Sequence, residues 1–99
     1  MQYTVEITDN ARREMDQSYF WGCDKWGKKQ ADKWFRGLMK AVLDLEHFPE
    51  RHPPAPESEE VDTPLRHLIY GRYRIIFEIE KDLVRILYCK GAHTGELLH

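Results

Sequence analysis

Arg74, Lys90 and His93 are the side chains of this 99-residue chain best suited to chemistry on an anion. A guanidinium and an ammonium can stabilise negative charge, and an imidazole titrates near neutrality and can act as acid or base. Arg66, His67 and Arg72 stand close to Arg74 in sequence and can add to such a site, and His99 offers a second imidazole beyond His93. Other chemistries have less to stand on. No two of the five histidines (His47, His52, His67, His93, His99) have a ligand spacing such as H-x-x-x-H, so no metal is expected. No Gly-rich phosphate loop and no Ser-His-Asp or Cys-His arrangement can be argued from the order of residues, and no cofactor is expected. Cys23 and Cys89 are too few for a disulfide scaffold and read as free, buried thiols of a reducing cytoplasm. The competing reading of Arg74 is a salt bridge to Glu78 or a neighbouring strand; that of His93 and His99 is a solvated tail.

The elements that must position these residues follow from periodicity. Residues 2–8 alternate, with Tyr3, Val5 and Ile7 on one face, as a half-buried strand does and a signal peptide does not. Thr8, Asp9 and Asn10 are candidate N-caps for a helix whose apolar positions are Ala11, Met15, Tyr19, Cys23 and Trp26. After Gly27, a second helix is expected over about 28–48, with Ala31, Trp34, Phe35, Leu38, Val42 and Leu45 as its apolar stripe. Lys29, Lys33, Arg36 and Lys40 cluster nearly opposite that stripe, as the wet face of an amphipathic helix. Phe48-Pro49 should end the helix, because the residue before proline avoids the α region. Residues 49–63 carry four prolines and read as an extended surface connection.

Three strands complete the pattern. They run over 65–70, 73–80 and 83–90, joined by tight turns at Gly71-Arg72 and Lys81-Asp82. The middle strand places Tyr73, Ile75, Phe77 and Ile79 on one face; the last places Val84, Ile86 and Tyr88 together, opposite Leu83, Leu87 and Cys89. The order is β-α-α-β-β-β, an α+β fold in one domain over 1–99. A helical hairpin should pack on one face of a mainly antiparallel four-stranded sheet, with the N-terminal strand joining the C-terminal meander. Trp21, Trp26 and Trp34 read first as packing groups; any left exposed would mark a partner surface.

Charge is segregated. The net charge is −2, yet residues 25–40 hold six basic side chains and one acid, and residues 46–62 six acids and one lysine or arginine. Surface potential is local, so the net value does not exclude a nucleic-acid partner. No apolar run approaches the roughly 20 residues of a membrane-spanning helix, and a cytoplasmic location is expected.

Specific segments carry a family resemblance. Trp34-Phe35, Leu45 and the run Phe48-Pro49-Glu50-Arg51-His52-Pro53-Pro54-Ala55-Pro56-Glu57 are similar to an aromatic motif and an F-P-E-R-x-P-x-A-P-E motif. Leu65–Gly71 and Tyr73–Ile79 are similar to V-R-x-L-x-Y-G and Y-R-I-x-F-x-I strands, and Val84–Tyr88 to a final strand. In this order and spacing they resemble the RelE/ParE superfamily of bacterial type II toxins, in its ParE-like, plasmid stabilisation branch. The tail departs from that branch: a basic V-R-H-x-x-R pattern is usual where this chain has Cys89-Lys90-Gly91-Ala92-His93-Thr94.

The resemblance implies a toxin neutralised by a cognate antitoxin, as a homodimer or a toxin–antitoxin heterotetramer. Arg66, Arg72, Arg74 and Lys90 are then the residues expected to meet target or antitoxin. It implies growth inhibition by binding a macromolecular target, DNA gyrase in the ParE proteins, without a cofactor. Two alternatives follow from the same likeness. One is a RelE-like, ribosome-dependent and metal-independent mRNA endonuclease, in which Arg74, Lys90 and His93 would be catalytic: attack through a 2′-hydroxyl needs a base, a cation at the phosphate and an acid. The other is a toxin-fold binding module without toxicity. The tail has no tyrosine after Tyr88, which favours binding over cleavage.

Overall fold

The computed structural model describes residues 2–91, so His93 and His99 lie outside the described residues. Strand β1 (Thr4–Ile7) leads into helix α1 (Asp9–Trp26) and helix α2 (Lys28–Leu43). A one-turn helix α3 (Ser58–Val61) precedes strands β2 (Arg66–Tyr70), β3 (Tyr73–Glu80) and β4 (Leu83–Lys90). The sheet order is β1-β4-β3-β2. β2, β3 and β4 form an antiparallel meander, and β1 pairs parallel with β4, Val5 opposite Val84. The expected α+β plan is therefore present, with α3 added inside the connection.

The helical hairpin closes one face of the sheet. Ala11 and Met15 of α1 and Leu38 and Val42 of α2 pack with Leu45 onto Tyr73, Ile75 and Phe77 of β3 and Val84, Ile86 and Cys89 of β4. Burying each of the larger side chains contributes about 1.5–3 kcal/mol. Thr8 is the N-cap: its Oγ1 accepts from the Ala11 amide at 3.3 Å and donates to the Ile86 carbonyl at 2.7 Å, so the cap also ties α1 to β4. Along α1 the buried positions are Ala11, Met15, Ser18 and Gly22. The expected stripe through Tyr19 and Cys23 advances four residues per step, about 40° beyond a full turn each time, and so rotates off the sheet. Trp26, at its end, is 44% exposed.

Helix α2 ends at Leu43, five residues before the expected end. The chain tightens into a 3₁₀ turn over Asp44–Glu46, and His47 is extended and bridges Gln2, with the Tyr3 amide donating to the Glu46 carbonyl at 2.8 Å. Sheet formation at the start of β1 thus claims the backbone that would continue the helix. Phe48, which precedes Pro49, is left-handed (φ 48°, ψ 55°), and a second 3₁₀ turn follows over Pro49–Arg51. Gly37 leaves room for the Tyr70 hydroxyl against α2, since a Cβ there would overlap its oxygen.

A β-bulge governs the other face. Ile76 pairs with Tyr88 and Phe77 with Ile86, so Leu87 has no partner across the ladder. Up to Ile86 the even-numbered residues of β4 face the helices; beyond Leu87 the odd-numbered Cys89 does. This corrects the expected alternation: Tyr88 packs with Ile76, Ala55, Leu65 and Leu87 on the outer face, not with Val84 and Ile86. The proline-rich connection is also more ordered than an extended strap. Its residues 53–55 run along β2, the Ala55 amide donating to Leu65 and the His67 amide to Pro53. Among the described residues no helix is long and apolar enough to cross a membrane.

Candidate anion-binding face

The bulge brings the two expected cations together. Arg74 and Lys90 are register partners on β3 and β4, and both lie on the outer face because Leu87 reverses the parity of β4 before Lys90. Between them sits Glu57, carried over the sheet by the connection. Arg74 grips it with both ends of its fork, Nη1 to Oε1 at 3.1 Å and Nη2 to Oε2 at 2.5 Å. Lys90 Nζ donates to the same Oε2 at 3.3 Å. Glu57 is held from behind by the next residue: Ser58 Oγ donates to the Leu65 carbonyl and accepts from the Leu65 amide, at 3.0 and 2.9 Å. The Glu57 side chain is only 12% exposed, Arg74 30% and Lys90 43%.

Two cations around one carboxylate hold its pKa down to about 2, the Arg74 hydrogen bonds being the main cause. Arg74 Nη1 also reaches His67 Nδ1 at 3.0 Å. A guanidinium only donates, so in this contact the ring nitrogen is the acceptor. Lys90 Nζ lies 5.5 Å from the centre of the Tyr88 ring. Bidentate guanidinium geometry suits a planar carboxylate or a phosphate, so the arrangement can hold an oxyanion.

The remaining expected residues are dispersed. Arg66 Nη1 donates to the carbonyls of Glu50 and His52, at 3.0 and 2.6 Å, where it pins the connection rather than joining the cluster. Arg72, in the β2–β3 turn, lines a cleft of about 360 Å³ with Trp21, Trp26, Trp34, Tyr70 and Tyr73. Glu78 pairs with Arg85, not with Arg74. Glu57 was not among the expected site residues; its signal was its place as the last residue of the F-P-E-R-x-P-x-A-P-E motif. Cys89 is buried and its thiol is pushed up to about 12, mainly by burial. Among the described residues no three His, Cys, Asp or Glu side chains converge as a metal site.

Known proteins share this fold. The family model described as the ParE toxin of type II toxin-antitoxin system, parDE, matches residues 5–89. The fold is similar to that of the chromosomal ParDE TA system from P. aeruginosa, with 18% identity and a TM-score of 0.77 over 91% of this chain and 96% of that one. It is also similar to the toxin-antitoxin complex RelBE2 from Mycobacterium tuberculosis, with 23% identity and a TM-score of 0.64 over 92% of this chain and 99% of that one. No curated protein matches.

Proposed function

Because the chain belongs to the ParE toxin family of type II toxin–antitoxin systems, we propose that it arrests growth by binding DNA gyrase, without cutting RNA, and that a cognate antitoxin neutralises it. The observation that carries this reading is the commitment of Arg74 to Glu57. A nuclease needs a cation free to meet the scissile phosphate and a titratable group beside it. Here Arg74 is already paired with Glu57, and among the described residues the imidazole beside it, His67, contacts that same arginine instead of standing free. A binding toxin has no such requirement, because its energy is spread over an interface anchored by aromatic and arginine side chains. The half-open aromatic cleft beside Arg72 supplies groups of that kind. An antitoxin partner is supported by the ParDE and RelBE2 structures that share the fold.

The test is induced expression with and without the antitoxin, scored for growth arrest, DNA breaks and mRNA cleavage. The double variant His93→Ala, His99→Ala separates the mechanisms. Removing a true general acid or base lowers rate by ~10²–10⁴. Retained arrest with DNA breaks is expected, together with inhibition of purified gyrase. Lost arrest in a well-folded double variant, with mRNA cleavage by the parent chain, would establish the nuclease instead.

A further inference from the structure

We propose that Arg74 and Lys90 form a carboxylate-recognition site for an acidic peptide with aliphatic neighbours, and that Glu57 is the chain's own occupant of that site. The proposal rests on the reading above only in taking the partner at this face to be a protein. The geometry is that of a filled binding site. A planar carboxylate is clasped by a guanidinium on one side and an ammonium on the other, and the three groups leave a net charge of +1. The cations are more exposed than the acid they hold, so a second acceptor can reach their outward N–H groups.

The surroundings select the ligand class. Ile69, the cross-strand partner of Arg74, is 54% exposed on the same face, and Tyr88 lies beneath Lys90. An aliphatic side chain beside a cation pair fits a segment that places a leucine or isoleucine next to a glutamate or aspartate. A nucleic-acid strand fits poorly. Glu59, Glu60 and Asp62 lie just beyond Glu57 in sequence, and they repel a strand charged at every nucleotide more than a peptide whose acids alternate with aliphatic residues. Glu57 immediately precedes α3, a single turn with no buried residue, so replacement of its carboxylate by another would leave the core intact. Exchange of one carboxylate for another changes the ion pairing little. Net affinity must then come from the flanking apolar contacts, and an acidic segment without them is rejected.

The experiment measures binding of a fluorescein-labelled peptide of alternating glutamate and leucine, its glutamine–leucine counterpart, and single-stranded RNA of equal length, by anisotropy. Glu57→Gln removes the competing charge and keeps the shape. It should bind the glutamate peptide about tenfold tighter at low salt, with the gain shrinking as salt rises, and the glutamine peptide no better. An unchanged or weakened affinity in folded Glu57→Gln overturns the proposal, as does a gain confined to RNA. Should Glu57→Gln fail to fold, Lys90→Gln in the otherwise intact chain should weaken the glutamate peptide several-fold; no change there overturns it equally. None of these readouts depends on growth arrest, so failure of the gyrase reading and failure of this one are told apart.

Discussion

Two arginines on the outer face of the sheet, Arg74 and Arg85, solve the same problem in different ways. Arg85 is paired within the sheet itself: Glu6 and Glu78 are its register partners on β1 and β3, at 3.0 and 2.9 Å, and Glu80 approaches at 3.5 Å. One cation stands among three acids there, and the local charge is negative. Arg74 has no acid opposite it; its register partners are Ile69 and Lys90. Its carboxylate is delivered by a loop, 17 residues away in sequence, and the cluster of Arg74, Lys90 and Glu57 keeps one net positive charge. The outer face is therefore polarised along β3. A pair made by strand register is fixed as firmly as the sheet, whereas one made by a loop can exchange. The first is part of the fold, and the second is where a partner can act.

The strongest way to break this contrast is to shift the parity of β4 beyond the bulge. Deleting Cys89 moves Lys90 into its inward place opposite Ile75, whereas deleting Leu87 would leave Tyr88 and Lys90 outward. An ammonium would then face the apolar core, or the end of β4 would unpair. A loss of more than ~3 kcal/mol, or of cooperative unfolding, is expected in urea titrations. A Cys89 deletion with parental stability would mean that strand parity beyond the bulge does not set which face Lys90 occupies.

A smaller effect is expected at the loop-borne pair. Arg74→Met leaves Glu57 half-covered and without its fork, and should cost about 1–2 kcal/mol at neutral pH. Adding Glu57→Leu should recover most of that loss, because the apolar pair no longer contains a stranded charge. The pH dependence has a definite sign. Glu57 has its pKa lowered on folding from an ordinary 4.5 to about 2, so its contribution is fully present above the ordinary value and fades as pH falls toward 2. The stability advantage of the parent chain over Arg74→Met should therefore shrink between pH 5 and pH 2. Other shifted carboxyls, such as Glu14, which burial raises, are common to both chains and cancel in the difference.

How far the sequence could be read follows the same division between local and long-range causes. β3 and β4 were legible to the residue, because alternation and two tight turns are local signals. The apolar stripe of α2 was legible for the same reason, and the cap of α1 was narrowed to Thr8, Asp9 or Asn10. The end of α2 was not, because the Glu46 carbonyl is taken by Tyr3, 43 residues earlier. The bulge was invisible: Leu83–Lys90 has no glycine and an unbroken apolar pattern, and the extra residue is defined only against β3. Arg74 and Lys90 could be named from residue type and family likeness, but not their meeting, which depends on that bulge. Arg66 looked the same as Arg74 on paper, and only the path of residues 49–53 shows that it holds main-chain carbonyls.

The smallest effect, and the one that sharpens the contrast most, is expected at Arg85. Its guanidinium pKa is raised above the usual value by Glu78 first and Glu6 next, which shows attraction; its side chain is as exposed as that of Arg74, but Glu6 and Glu80 are far more exposed than Glu57 and are screened. Arg85→Gln removes the cation and leaves Glu6, Glu78 and Glu80 facing each other. Glu6 and Glu80 sit where water can solvate them, so the melting temperature should move by no more than about two degrees at physiological salt. Lowering the salt should widen the difference, because the repulsion among the three acids is then less screened. The peptide affinity of the Arg74 site should stay within about twofold, since Arg85 contributes no contact there. A large loss of stability at high salt would mean that the sheet's own ion pairs, and not only the loop-borne one, are sheltered enough to act as a site.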